Sequence, residues 1–531
     1  MYIRETRQRL ADGSYARYLQ LAHKVRDPDT GTPRDEILYH FGRAEQVDPA
    51  QLKRLIQSLA RFLEPDEAAA VRAKLDGLGR DIVLERSLSF GGSYVLDRLW
   101  RRLELDAALG ELVAEREFAA DVERVLFALV ANRALAPSSK LAIERWVGQD
   151  VAVPGLEAVA VHTLYRTMDF LAEQAEAIQR RVFFSTASLL NLEVDLLFFD
   201  TTSTYFEVEA ADEEGEGLRR YGHSKDRRPD LPQVVVGLAV TRDGIPVRCW
   251  VLPGNTADAS LVGRVQEDLA GWKLSRVVWV MDRGMAGERQ RIELQRGGGH
   301  VIVGEKLRRG SKQAAEALKR PGRYARVREN LEVKEVAVEQ GSETRRFVIV
   351  RNPEQAERDR RLREALLERL EAELEALNER RSGREHTKAV CALTSHSVYG
   401  RYLRELKSGK LRIDRGRVRS EERLDGKYLL STTDPSLSAE DVALGYKQLA
   451  EVERAFRTLK HTLDLRPLYH RLPERITAHV LLCWMALLLV RLVERETGQS
   501  WPRVREELAR LHLANLSTKD GAFQVTTRLT D

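Results

Sequence analysis

Two apolar runs that stop on an acid set the frame of the chain. Val194–Thr202 reads V-D-L-L-F-F-D-T-T, with Leu196 to Phe199 unbroken. Such a run predicts a strand covered on both faces, ending on Asp200. Arg276–Asp282 reads R-V-V-W-V-M-D and repeats the design, ending on Asp282 and followed by Arg283-Gly284-Met285. A carboxylate at the end of a buried strand needs a compensating charge or donor. One such Asp reads equally well as the cap of a turn. Two buried strands that each deliver an Asp to the C-terminal end point to a metal site.

The pattern divides the rest into segments. Residues 1–45 predict a β-meander: Tyr2–Leu10 and Tyr15–Val25 flank Asp12-Gly13, and a third strand runs through Glu36–Phe41. Arg4, Arg7, Arg9, Arg17, Lys24 and Arg26 make it basic, which suits either DNA phosphates or a solvated sheet face. Residues 46–190 show helical spacing, as in Val122, Val125, Leu126 and Leu129. Within them Val161–Leu171 reads either as a DNA-recognition helix presenting Thr163, Arg166 and Thr167 or as a packing helix.

After Asp200 come strands at Val234–Thr241 and Pro246–Leu252, a helix at Ala259–Ala270, the strand to Asp282, a helix near Gly287–Arg296 and a strand at His300–Gly304. Three hairpin-linked strands, then helix, strand, helix, strand, is the order of a ribonuclease H-like core. Residues 191–304 are its first part and 425–500 its second. The block 305–424 breaks the rhythm with charged β-strands and a helix, Glu354–Arg381, whose Leu362, Leu366, Leu370, Leu374 and Leu377 form one stripe. It is expected to be an insertion domain, with the stripe either packed at home or forming a coiled-coil seam. Residues 501–531 are expected to be a tail. The fold class is thus multidomain α/β: a ribonuclease H-like core interrupted by a β-rich insertion, after a small meander and a helical DNA-binding region.

Composition narrows the class. The 531 residues carry 86 Lys and Arg against 81 acids, a net charge of +5. That permits nucleic-acid binding without demanding it, so local basic patches matter more than the total. Cys249, Cys391 and Cys483 lie far apart and form neither a disulfide framework nor a zinc pattern, as in a reducing cytosol. The opening M-Y-I-R-E-T-R is not a signal peptide. Ala478–Val490, the longest apolar stretch, predicts a buried helix rather than a membrane span.

A third acid comes from the helix predicted over Ser438–Thr462. Tyr446, Glu453 and Lys460 recur at seven-residue spacing, which stacks them on one face with about 20° of drift per heptad. A hydroxyl, a carboxylate and an ammonium in line suit a phosphate-handling surface. With D-T-T-S at Asp200 and D-R-G-M at Asp282, the Y-x2-L-x3-E-x6-K string resembles the bacterial insertion-sequence DDE transposases, within them the insertion sequence 4 superfamily with its Tyr-Arg-Glu-Lys signature. G-H-S-K-D-R-R-P-D-L-P-Q (222–233), P-G-N-T-A-D (253–258) and R-P-L-Y-H (466–470) resemble its insertion sequence 1634 branch. Leu449 stands where that signature has Arg, so the arginine's contact is absent or is supplied by Arg454 or Arg457.

The resemblance implies a transposase that binds terminal inverted repeats, cuts DNA by metal-dependent hydrolysis and transfers 3′-hydroxyl ends to target DNA. A host nuclease on the same core and an inactive DNA-binding derivative are the alternatives. Asp200, Asp282 and Glu453 are the expected catalytic and metal residues, holding two Mg²⁺ ions (or Mn²⁺) with Asp200 shared, because hard ions take carboxylate oxygens. Tyr446, Lys460, Arg457, Arg283, Lys225 and Arg228 are the expected DNA contacts; Arg227 beside them reads alike. His223 and His470 read as satisfied or exposed rather than as ligands. The expected partners are DNA and a second copy in a DNA-bound homodimer, with no membrane, in the bacterial cytoplasm at the nucleoid. A fragment ending near residue 190 is expected to keep end-specific, salt-sensitive binding.

Overall fold

The computed structural model describes the chain apart from residues 10–14, 27–31, 65–66, 69–70, 72–73, 76–82, 115–120, 191–195, 208–209, 213–216, 258–260, 271, 273–277, 282–291, 293–298, 309, 341–342, 380–382, 407, 519–520 and 529–531. It resolves into two compact units, one of residues 1–87 with 513–528 and one built on 88–512.

In the first unit β1 (Tyr2–Arg9), β2 (Tyr15–Arg26) and β3 (Pro33–Arg43) form the antiparallel meander read from the sequence. Helix α1 (Pro49–Leu59) follows, capped by Asp48, whose side chain accepts the Ala50 amide at 2.9 Å. A second sheet joins β4 (Val83–Ser89) to two strands from the far end of the chain, described below.

The second unit begins with the helices α2 (Gly91–Arg102), α3 (Leu105–Ala114), α4 (Val122–Leu135), α5 (Lys140–Gln149), α6 (Val161–Glu173) and α7 (Ala175–Leu190). Then come β5 (Leu196–Tyr205), β6 (Gln233–Val240), β7 (Pro246–Pro253), α8 (Leu261–Ala270), β8 (Val278–Met281) and β9 (His300–Glu305). These strands lie in the order β7-β6-β5-β8-β9. β5 runs antiparallel to β6 and parallel to β8, and β8 is parallel to β9.

The block 305–424 does not stand apart from this sheet. After α9 (Lys312–Lys319), β10 (Ala325–Arg328), β11 (Leu331–Gln340) and β12 (Glu343–Arg351) extend the same sheet to nine strands. Next come α10 (Pro353–Glu379), α11 (Arg384–Ser395), the short pair β13 (Leu403–Glu405) and β14 (Leu411–Ile413), and α12 (Arg415–Glu422). β15 (Lys427–Thr432) then pairs β12 on one side and β9 on the other, which joins the two halves of the sheet. Leu370, Leu374 and Leu377 of α10 are buried with Tyr402, Leu403, Leu411 and Val418, while Leu362 is exposed. The leucine stripe therefore packs at home.

Strand alternation splits the core in two. Phe198, Val236, Leu238, Val280 and Ile302 point to one face, Leu197, Phe199, Trp250, Trp279 and Met281 to the other. The second face is closed by Leu261, Val265 and Leu269 of α8 and by Phe183 of α7. The first is closed by helices from the end of the unit: α13 (Ala439–Lys447), α14 (Ala450–Arg457) and α15 (Pro473–Thr497). α15 opens on Pro473 and stops at Gly498, whose φ of +66° ends the helix without a Cβ penalty. It has the length and hydropathy of a membrane span, but 94% of its apolar window is buried inside the protein.

α4 and α6 pack directly on α15, which lies at least 300 residues later in sequence. Leu164, Thr167, Met168 and Leu171 of α6 are buried, so α6 is a packing helix and Thr167 cannot read DNA. The helices of residues 91–190 thus share their core with the end of the unit. Residues 501–531 are not a tail either. α16 (Trp501–Leu508) buries Trp501 completely, its indole N–H donating to the Ala134 carbonyl at 3.0 Å. β16 (His512–Thr518) and β17 (Gly521–Thr526) pair and complete the sheet begun by β4.

Two outcomes follow. Trp501→Ala should destabilise the chain by about 3–5 kcal/mol, read as a lower midpoint of chemical denaturation. A chain ending at residue 190 leaves the buried faces of α4 and α6 uncovered, and should aggregate in gel filtration where the full chain does not.

Candidate functional site

Asp200 lies inside β5 rather than at its end. The strand continues to Tyr205 because Thr201–Tyr205 keep pairing with β6, Asp200 opposite Leu238 and Tyr205 opposite Gln233. On the other side the parallel partner β8 (Val278–Met281) pairs Leu196–Phe198 among the described residues. By strand alternation Asp200 projects on the face it shares with Phe198 and Val280. Its Oδ1 accepts the Thr201 amide at 2.7 Å. The Lys225 ammonium stands 3.8 Å from the same oxygen and donates to the Thr201 carbonyl (2.7 Å) and Oγ1 (2.6 Å). The Lys225 amide also donates to Ser203 Oγ at 2.8 Å. Lys225, expected as a DNA contact, thus lies against β5 beside the carboxylate, its side chain 33% exposed. Asp282 and Arg283 lie outside the described residues.

The helix expected over 438–462 is jointed. Ser438 and Asp441 form a capping box that starts α13. At Gln448–Leu449 the hydrogen bonds tighten to three-residue steps: Leu449 N–H to the Tyr446 carbonyl at 3.0 Å and Glu451 N–H to the Gln448 carbonyl at 2.8 Å. Leu449 itself is buried in the main core, so the position where the signature has Arg is here an apolar anchor of the joint. Arg454, offered as a substitute, is paired with Glu451 at 3.3 Å. The joint sends the two helices to different strands: α13 lies on β9, β11, β12 and β15, whereas α14 lies on β5 and β6.

Tyr446 accordingly sits over β9. Its ring stacks on Tyr428 with centroids 5.9 Å apart, and its hydroxyl occupies the space above Gly304, 2.3 Å from where a Cβ would stand. Only glycine allows that approach. Glu453 is exposed on α14, between two anchors. Upstream, Glu451 lies over the β6–β7 turn, 3.1 Å from where a Gly244 Cβ would stand; Gly244 has φ +74°. Downstream, Lys460 closes onto Asp226.

Asp226 is the functional-looking residue that the sequence reading passed over. Its side chain is 5% exposed, and Oδ1 accepts both the Lys460 ammonium (2.7 Å) and Arg466 Nη1 (2.6 Å). Asp226 Oδ2 is buried with no hydrogen-bond partner. Burial pulls the Lys460 ammonium below the usual lysine range in spite of Asp226. A turn of π-helix over Thr458–Thr462 carries Lys460. Lys460 is thus spoken for by an acid within the K-D-R-R string, whose basic residues drew attention while its one acid did not. The remaining expected contacts are at the surface: Arg457 is exposed on α14, and Arg228 forks onto Asp230 while lying 5.3 Å over the Tyr205 ring. Tyr446, Glu453 and Lys460 do not form one straight row.

The described acids are of the type that hard divalent ions take, with Asp200 and the helix bearing Glu453 meeting on one face of the sheet. Among the described residues no three His, Cys, Asp or Glu side chains form a metal-holding group. Burial pushes the His470 imidazole down to about 4, which keeps it neutral, and it belongs to no such group among the described residues. Cys249 and Cys483 are buried, Cys391 is exposed, and all three are free thiols.

Residues 207–489 match the family model described as transposase DDE domain, and residues 3–70 match that described as IS1634 family transposase, N-terminal domain. No match was found among curated proteins.

The Asp226 cluster yields a stability prediction. Asp226→Ala strips the counter-charge from two buried cations and should cost about 3–5 kcal/mol. Lys460→Ala leaves Asp226 with Arg466 and should cost distinctly less. Urea denaturation of the two variants checks the order; equal losses would mean that Arg466 does not hold the acid.

Proposed function

The chain belongs to the IS1634 family of DDE transposases, and we propose that it binds the terminal inverted repeats of an insertion sequence, cuts the DNA there by hydrolysis and joins the freed 3′-hydroxyls to target DNA. The observation that carries this reading is the placement of Asp200 and α14. Asp200 leaves β5 on the sheet face that α14 covers, and Glu453 lies between that helix's contacts at Gly244 and Asp226. β8, parallel to β5, spans Val278–Met281 and leads in sequence to Asp282. The order β7-β6-β5-β8-β9 supports a ribonuclease H-like core.

Asp200, Glu453 and Asp282 would hold Mg²⁺ or Mn²⁺, two ions with Asp200 shared, and such ions stabilise charge on the attacking and leaving oxygens of a phosphodiester. Lys225 keeps a positive charge beside Asp200 and, through Thr201 and Ser203, fixes the loop 222–232 to β5. Lys460 acts on the same loop from the other side through Asp226, as a positioning residue. The exposed Arg457 and the partly exposed Arg228 would meet DNA phosphates, Arg228 by releasing Asp230. Joining two element ends calls for two copies on the DNA, a homodimer assembled with its ends. The basic meander, inside the matched N-terminal region, supports a role in holding them.

The test uses the full chain and a duplex bearing the inverted repeats that flank the gene. Cleavage and strand transfer should require Mg²⁺ or Mn²⁺ and stop with EDTA. Glu453→Gln, which keeps size and removes charge, should reduce both to background while DNA binding persists. Glu451→Gln loses its pair with Arg454 and a charge that faces Arg491, but no expected metal ligand, and should leave the reaction within a few-fold of the wild type. Full activity in metal-free buffer, or loss with Glu451→Gln and not with Glu453→Gln, would reject the assignment; cutting without transfer would indicate a nuclease.

A further inference from the structure

Behind the Asp226 cluster lies a cavity of about 550 Å³ whose lining includes Arg133, Lys140, Tyr165, Asp464, His470 and His479. Arg133 and Lys140 are 3% and 4% exposed, values at which a cation is normally paired. Neither has an ion pair with an acid among the described residues. Arg133 is held by oxygens only: its Nη2 donates to the Ser138 carbonyl and, at 3.3 Å, to Asn132 Oδ1, while its Nε finds no acceptor.

Lys140 is placed still more oddly. It is the first residue of α5, after the Ser139 cap, where the helix dipole favours an anion and disfavours an ammonium. The first turn of α5 carries no acid. Burial, with Arg133 adding repulsion, drags the Lys140 ammonium down to about 7. Asp464 is the one carboxylate in the lining and can offset only one of these charges. Arg466 also lines the cavity but is engaged with Asp226. The imidazoles of His470 and His479 are kept neutral by burial, His479 well below its ordinary value, and so can each donate a hydrogen bond without adding charge.

A pocket with surplus positive charge, a helix N-terminus and neutral donors is electrostatically incomplete. We propose that this cavity binds one phosphate group, with Lys140 and Arg133 as its counter-charges and the start of α5 as a further donor. The volume exceeds what a bare phosphate fills and falls in the range of small-ligand sites, so the phosphate would arrive on a nucleotide-sized molecule. Tyr469 lines the cavity and is 72% exposed, which marks the open side, and Tyr165 faces it from α6. The phosphate could belong to a DNA strand or to a free nucleotide; its binding does not depend on the transposition reading, whereas the strand as its source does.

Calorimetric titration of the full chain tests the site. Sodium phosphate at constant ionic strength should bind saturably, and Lys140→Met should weaken it about tenfold or more, the loss of one charge-assisted contact. Lys140→Met should also melt no lower than the wild type without phosphate, since it removes an ill-placed buried charge. Absence of saturable phosphate binding, unchanged affinity in Lys140→Met, or a lower melting temperature for that variant would each overturn the proposal. A second arm compares adenosine monophosphate with a short single strand bearing or lacking a 5′-phosphate, on wild type and on Tyr469→Ala. Tighter binding of the phosphorylated strand than of the mononucleotide assigns the site to DNA, and the reverse assigns it to a free nucleotide. If DNA cleavage is absent while phosphate binds, the transposition reading fails and the pocket stands.

Discussion

A single buried carboxylate, Asp226, shared by Lys460 and Arg466, holds the candidate site in shape. The loop that carries it is fastened to β5 by Lys225, and the two cations come from the turn after α14 and from the segment before α15. The loop and the stretch that holds Lys460 and Arg466, more than 230 positions apart, are thereby fixed to one another next to Asp200. An ion pair in this setting adds little net stability when intact, yet losing the acid leaves two cations in low dielectric. The cluster is better understood as setting the geometry of the loop and helix than as holding the fold together.

What holds the fold is the division of the sheet into two apolar faces, one sealed by α7 and α8 and the other by α13, α14 and α15. α15 is apolar around its whole circumference because it serves several neighbours at once: α4 and α6 on one side and β7 on another. Such a helix makes the early helical region and the end of the unit one folding entity. It also explains why a sequence of membrane-like hydropathy lies buried inside the protein.

Much of this was legible beforehand. The meander, the strands on either side of Arg242-Asp243-Gly244 and the paired apolar runs ending near acids rest on local periodicity, and local periodicity is what the chain writes most plainly. The limits are equally local in origin. The heptad of Tyr446, Glu453 and Lys460 assumed one straight helix, and nothing in its propensities opposes that. The joint at Leu449 arises because α13 and α14 pack on different strands, among them β5, β6 and β9, more than a hundred positions away. Asp226 escaped notice for a related reason: among Lys225, Arg227 and Arg228 an acid reads as local charge balance, and its partners Lys460 and Arg466 lie more than 230 residues on.

The sequence by itself determined the element types, the carboxylates available for chemistry and the family to which the chain belongs, since each is carried by residue identity and short spacing. Tertiary structure decided which of these residues are at liberty. It paired Lys460 with Asp226, laid Lys225 against Thr201, drew the strands of 325–351 into the main sheet and sank Trp501 of the supposed tail into the core. It also buried Lys140 and Arg133 in one cavity with a single acid in the lining. Burial and long-range charge pairing depend on where the chain returns to itself, and no local pattern encodes that.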